Sequence, residues 1–198
     1  MNSRLTKLAQ EKSGAQLQTM TKESLQWLMT KIANLKRTSN IASDLSREKS
    51  RQVNQFKLGG LYFYYYDAKT KNDLPYWDRF PLVLVLEKYP DGFLGLNLHY
   101  LPLNYRIMFM EKLMPYAVLN EDGDIRRIKI TYDILNSARR YKEFQPCLKR
   151  YLNSHIKSKI LVVQPDEWDI ALFLPIQQFI KAKAEKVWKE SVDQIRKS

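Results

Sequence analysis

Residues 59–103 read GGLYFYYYDAKTKNDLPYWDRFPLVLVLEKYPDGFLGLNLHYLPL, and this stretch decides the fold. Leu61–Tyr66 is a strand by its aromatic content, because wide rings pack on a pleated surface and fit poorly on a helix. Lys69–Asp73 is a polar turn, and Pro75 and Pro81 bound the aromatic run PYWDRFP. Leu82–Glu87 is a second apolar strand. Pro90-Asp91-Gly92 is a hairpin signal, since glycine and aspartate tolerate the turn conformations that other residues resist. Phe93–Tyr100 is the returning strand. Three strands so close in sequence predict a small antiparallel meander or SH3-like barrel over about residues 58–100, completed by Ile160–Val163 within 159–163.

Outward from this sheet the pattern turns helical. Pro102 opens a helix over 102–114 whose apolar face is Leu103, Ile107, Met110 and Met114, and Pro115 stops it. Asn120–Asp124 is an acidic loop. Thr131 or Asp133 caps a helix over 133–144 with Ile134, Ala138 and Tyr141 on one side, ended by Pro146. A short helical turn runs through Trp168. A final amphipathic helix over 181–196 carries Ala184, Val187, Ser191 and Ile195 at helical spacing, with Ile180 before it. Toward the N-terminus, residues 1–20 are a mobile segment or an arm that orders on binding. Leu25, Leu28, Ile32 and Leu35 follow helical spacing, and 38–56 continues as a polar helix. The expected fold class is therefore α+β, with a basic helical arm at 1–56 and an α+β domain at 57–198.

Composition bounds the function. Of 198 residues, 44% are hydrophobic and 12% aromatic, enough to build a core rather than a disordered chain. The run Leu82–Leu86 is too short to span a bilayer, so no membrane partner is expected, and the start MNSRLTKLAQ has no apolar segment of a secretory leader. A single cysteine, Cys147, forbids an intrachain disulfide and a cysteine-rich metal site. No metal, cofactor, catalytic group or small-molecule substrate is expected.

The net charge is +12 and is segregated. Residues 125–163 hold ten basic and two acidic side chains, residues 57–124 seven and nine, and residues 1–56 ten and four. Clustered Lys and Arg favour a polyanion, because phosphate contacts release condensed counterions. The candidate DNA contacts are Arg126, Arg127, Lys129, Arg139, Arg140, Lys142, Lys149, Arg150, Lys157 and Lys159. Tyr132, Tyr141, Phe144 and Tyr151 interleave with them. The competing reading is an ordinary charged face over core tyrosines, and Tyr141 and Tyr151 fit the core better than a stacking platform. Nothing in the chain reads bases: zinc-finger and RNP1-like patterns are absent.

Other constellations carry less. Asp67-Ala-Lys69 matches the second half of a nuclease-type acid pattern, but its upstream segment reads helical, so the first acid has no strand to sit on. Cys147 and His155 lack an oxyanion hole and are better read as structural. His99 sits at a strand end, holding backbone groups. Gly59-Gly60 and Gly92/Gly95 lack phosphate-loop spacing. Arg79 is expected to pair with Asp67 or Asp73, and Tyr76-Trp77 to be structural.

The pieces YYDAKTK (Tyr65–Lys71), LPYWDRFP (Leu74–Pro81) and GFLGLNLHYLP (Gly92–Pro102) resemble the DNA end protector proteins of T-even-type contractile-tailed phages. Echoes in SLQWLMTK (Ser24–Lys31), EWDIALFLPIQQF (Glu167–Phe179) and KVWKES (Lys186–Ser191) extend the resemblance. It implies a non-enzymatic virion protein of the head or neck, acting in head completion. Such a protein sits on the double-stranded DNA end, enters the host cytoplasm with it and shields it from exonuclease. Two alternatives stand beside it: a structural connector of the head–tail neck meeting portal or adaptor subunits, and an SH3-like endonuclease using Asp67.

Overall fold

The computed structural model describes residues 49–119, 125–129, 141–164, 168–174 and 176–197. The first proposed helix, residues 38–48 of the polar helix proposed over 38–56, most of the proposed 133–144 helix and the Asn120–Asp124 loop lie outside the described residues. Residues 49–56, expected to close the helical arm, belong instead to the folded domain: Lys49–Arg51 is a 3₁₀ turn, Gln52–Val53 pairs with Ile160 and Leu161 as a strand, and Phe56 is buried in the core, because an aromatic side chain and a free sheet edge draw the chain into the ladder. Within them the fold is α+β, built on a six-stranded antiparallel sheet. Its strands are β1 (Gln52–Val53), β2 (Leu61–Phe63), β4 (Leu82–Tyr89), β5 (Gly92–Asn97), β8 (Leu148–Leu152) and β9 (Ile160–Val163), in the order β1-β9-β2-β4-β5-β8. Two short pairs flank it: β3 (Trp77–Asp78) with β10 (Phe179–Ile180), and β6 (Ala117–Leu119) with β7 (Ile125–Ile128).

The alternation of Leu61–Tyr66 sends residues to two different cores. Leu61 and Phe63 join Leu82, Leu84, Leu86, Leu96, Leu161 and Val163 on one face. Tyr62, Tyr64 and Tyr66 join Phe56, Val83, Val85, Phe93 and Tyr151 on the other. Because both faces are covered, Leu82–Leu86 is buried without interruption. Each such side chain stabilises the fold by about 1.5–3 kcal/mol relative to exposure. The rings of the second face lock edge to face: Tyr64 and Tyr151 at 5.6 Å and 89°, Tyr66 and Tyr151 at 4.9 Å and 80°.

The first face is covered by helices α1 (Leu103–Leu113), α2 (Phe144–Cys147), α3 (Trp168–Phe173) and α4 (Ala184–Lys197). They contribute Phe109, Met110 and Leu113, then Phe144 and Cys147, then Trp168, Ala171 and Leu172, then Val187 and Ile195. The final helix lies close to expectation, with Val187, Ser191 and Ile195 as its buried stripe. Ile180 belongs instead to β10, and Lys181, at φ 67°, turns the chain before α4 begins.

The sheet is open rather than closed into a barrel. The meander, the other arrangement expected, is what β2, β4 and β5 form. Beyond β2 the chain leaves the ladder: Tyr66 makes a lone bridge to Ile156, and residues 66–78 run along the β8 side of the sheet. β1 and β8 are the two ends of the strand order and do not pair with each other, so the ring does not close. The returning strand also ends early. The Asn97 side chain accepts from the His99 N–H at 3.1 Å and opens a 3₁₀ turn over Leu98–Tyr100.

The β6–β7 pair is anchored through Gly59. Its N–H donates to Val85 O at 2.7 Å and its carbonyl accepts from Ile128 N at 3.0 Å. Gly59 has φ +73°, and a Cβ there would fall 1.9 Å from Ile128 O, so glycine alone fits.

A buried polar lock ties the sheet to the helices. The Asp78 carboxylate accepts from Phe80 N (3.1 Å), Gln178 N (3.0 Å), Asn97 Nδ2 (3.3 Å) and His99 Nδ1 (2.7 Å). Burial acts to raise its pKa, but His99 and the two backbone N–H groups outweigh burial and hold the carboxyl below its ordinary range. Burial keeps His99 below its ordinary value, so a neutral imidazole donates to the carboxylate. The His99 carbonyl in turn accepts from Trp188 Nε1 at 2.9 Å and from the Arg106 guanidinium at 3.4 Å. Arg106 is fully buried and also donates to Leu101 O (2.7 Å) and Leu172 O (3.1 Å), joining α1 to α3. Burial lowers its pKa to about 10.

Candidate nucleic-acid interface

The proposed cations are distributed over several elements. Arg126 and Arg127 lie in β7, and Lys129 follows it, exposed, with its N–H donating to Tyr116 O at 2.8 Å. Lys142 is exposed just before α2. Lys149 and Arg150 are consecutive in β8. Lys157 and Lys159 are exposed in the segment between β8 and β9, where Lys157 Nζ donates to Ser154 O at 3.2 Å. Arg139 and Arg140 lie outside the described residues.

Lys149 and Arg150 both line one cleft of about 580 Å³, yet their surroundings differ. The Arg150 guanidinium is ion-paired with Asp91 and lies 4.5 Å over the Tyr89 ring. Lys149 has no carboxylate partner among the described residues; its Nζ sits 4.2 Å over the Tyr100 ring. Burial holds the Lys149 ammonium below its ordinary pKa. Lys159 lines a different depression, of about 510 Å³, beside Lys88. The structure therefore brings Lys149 and Arg150 to one cleft and Lys159 to another.

The cleft lies between β8, the 66–78 loop and α4. Tyr66, Tyr100 and Tyr151 are buried behind it, whereas Tyr76 and Trp77 are half-buried at its surface. Tyr76 Oη donates to Glu190 Oε2 on α4 at 2.7 Å, and burial together with Glu190 pushes the Tyr76 phenol up. The loop wall is fixed by its own bonds. The Thr70 carbonyl accepts from the N–H groups of Asp73 and Leu74, both at 3.0 Å. Lys181 Nζ donates to the carbonyls of Lys71 (2.6 Å), Asn72 (3.1 Å) and Leu74 (3.1 Å).

A model of the phage T4 terminal DNA protecting protein family matches residues 6–191. The chain belongs to this family. No curated protein and no solved structure matches it. In this family member the resemblance pieces YYDAKTK and LPYWDRFP supply one wall of the cleft, and Tyr100 of the third piece lies behind it. Tyr76 and Trp77, expected to be structural, do pack on the cores, Tyr76 against the first and Trp77 against the second, and both also line the cleft. Their position at the mouth of a basic cleft depends on β8, which the charge pattern disguised.

The remaining candidates resolve into structure. Asp67 pairs with Lys71 at 2.9 Å, not with Arg79, and the exposed Asp73 makes no ion pair among the described residues. The Lys71 ammonium beside it lowers the Asp67 pKa. Among the described residues no three His, Cys, Asp or Glu side chains cluster as metal ligands. Cys147 is fully buried, and burial pushes its thiol up to about 12. His155 Nδ1 bonds the Asp67 carbonyl at 2.7 Å. Tyr141 is buried, with its hydroxyl donating to that of Tyr116 at 2.6 Å. Among the described residues no helix is long and apolar enough to cross a membrane.

Proposed function

We propose that the protein is a non-enzymatic phage virion component that binds double-stranded DNA without sequence preference and caps the genome terminus against exonuclease. The family match over residues 6–191 carries this reading. Its physical support is the concentration of ten basic against two acidic side chains in residues 125–163. Lys129, Lys142, Lys157 and Lys159 are solvent-exposed, as phosphate binding requires. Together with the other six cations of the proposed set they meet the DNA backbone, and the basic segment before residue 49 reaches along the duplex as an arm. In this role the protein resides in the head or neck and enters the host cytoplasm with the DNA end.

The test is digestion of a linear duplex by a processive exonuclease, with and without stoichiometric protein, at several salt concentrations. Shielding that fades as salt rises is expected. Substituting Lys129, Lys157 and Lys159 together by Gln flattens the log–log salt dependence of binding by about one unit for each phosphate that is no longer neutralised. Equal digestion with and without protein at low salt overturns the reading.

A further inference from the structure

The cleft beside β8 is lined by rings on one wall and a cation without a carboxylate partner among the described residues on the other. We propose that it takes the unpaired terminal nucleotide of a DNA strand, the base stacking against Tyr76 and Trp77 and the terminal phosphate meeting Lys149. This deepens the end-capping reading and rests on it for its biological occasion, while its chemistry stands on the cleft alone.

Four observations carry it. The volume, about 580 Å³, falls within the range of sites that enclose small ligands. Tyr76 and Trp77 are half-buried, with one side packed on the protein, and both line the cleft; stacking on an aromatic face tolerates every base. Lys149 is a partly desolvated cation set against the face of Tyr100 at 4.2 Å. A ring quadrupole compensates such a charge incompletely, and a phosphate oxygen supplies what it lacks. The rim adds Lys69 and Thr70, both exposed, as a further cation beside Lys149 and the Asp91-paired Arg150 and as a hydroxyl donor.

The cleft is also polar along its length. Glu190 stands on the α4 side, engaged by Tyr76 and 3.9 Å from Lys186. A phosphate is repelled there and drawn to the Lys149 side, which orients the nucleotide. The loop wall is held by Lys181 and the Thr70 turn, so it is built before the ligand arrives and binding orders little of the protein. The pocket supplies planes rather than a set of edge-reading amides, which matches a terminus of any sequence.

The experiment is calorimetric titration of the full chain with 5′-phosphorylated dithymidylate. Unphosphorylated dithymidine, inorganic phosphate and thymidine monophosphate are titrated as comparison probes. The phosphorylated dinucleotide is expected to bind at least about tenfold more tightly than each of the three. Lys149→Met, which keeps the side-chain volume, weakens it about tenfold or more. Lys149→Arg restores most of the affinity, and Lys189→Met, on the exposed side of α4 and outside the cleft, leaves it within about twofold. Thermal unfolding of each variant establishes that it is folded.

Absence of binding at millimolar dinucleotide overturns the proposal, as does equal binding by wild type and Lys149→Met. Monophosphate binding as tight as the dinucleotide's assigns the cleft to a free nucleotide and overturns the strand-end assignment. The two readings fail separately. A Lys149→Met protein that loses the dinucleotide but shields linear DNA in full refutes the strand-end role of the cleft and spares end protection. Lys149-dependent dinucleotide binding by a protein that leaves linear DNA unshielded refutes end protection and spares the cleft as a nucleotide site.

Discussion

Asp78→Asn tests the polar lock that holds the 66–78 loop, the sheet and β10 together. In the native protein Oδ1 accepts from Phe80 N and Gln178 N, and Oδ2 from Asn97 Nδ2 and His99 Nδ1. An amide with its nitrogen at the Oδ2 position keeps the first two bonds and turns a donor toward the other two. His99 can move its proton to Nε2 and accept, but Asn97 then faces a donor without compensation. The two surviving bonds lose their charge assistance, about 1 kcal/mol each, and the orphaned Asn97 amide adds about 1 kcal/mol, for a destabilisation of about 3 kcal/mol. In a chain of this size that lowers the thermal midpoint by roughly 6–12 °C.

The pH dependence supplies a second signature. The folded-state pKa of Asp78 is depressed below its unfolded value, so its contribution is present in full above the unfolded pKa of about 3.9. It is lost as pH falls through the folded value. The gap between wild type and Asp78→Asn in urea unfolding is therefore widest at neutral pH and narrows below about pH 4. A gap under about 1 kcal/mol at pH 7, or one that widens on acidification, refutes the reasoning.

Lys181 combines a left-handed backbone with a three-carbonyl clamp on residues 71–74. Lys181→Met loses the clamp and keeps the strain, whereas Lys181→Gly loses both, so the methionine variant is expected to be the less stable by about 1 kcal/mol in denaturant unfolding; equal stabilities refute the strain assignment. Cys147 carries a thiol raised by burial to about 12, so Ellman's reagent at pH 8 is expected to react only at the rate of unfolding, and prompt labelling of the folded protein contradicts its place in the core.

The central sheet was legible because its physics is local. Leu82–Glu87, Pro90-Asp91-Gly92 and Phe93–Asn97 carry apolar runs and a turn that specify strands and a hairpin without reference to the rest of the chain. Ile160–Val163 and the stripe Val187, Ser191, Ile195 were legible for the same reason. Strand β8 was not. Its sequence LKRYL reads as part of a charge cluster, because an edge strand with one buried ring, Tyr151, has too few apolar positions to announce itself. The barrel expectation failed at the same place: closure needs β8 to pair with β1, and the two stand at opposite ends of the strand order.

By itself the sequence determined the fold class, the segregation of positive charge and the family resemblance, since periodicity, turn chemistry and composition are properties of neighbouring residues. Only the tertiary structure decided which cations meet. It set Arg150 against Asp91 and left Lys149 over Tyr100, facing a cleft whose other wall comes from residues tens of positions away. The physical reason is that the charge state and availability of a side chain depend on burial and on partners brought in by strand pairing. Neither is encoded in the residues adjacent to it in the chain.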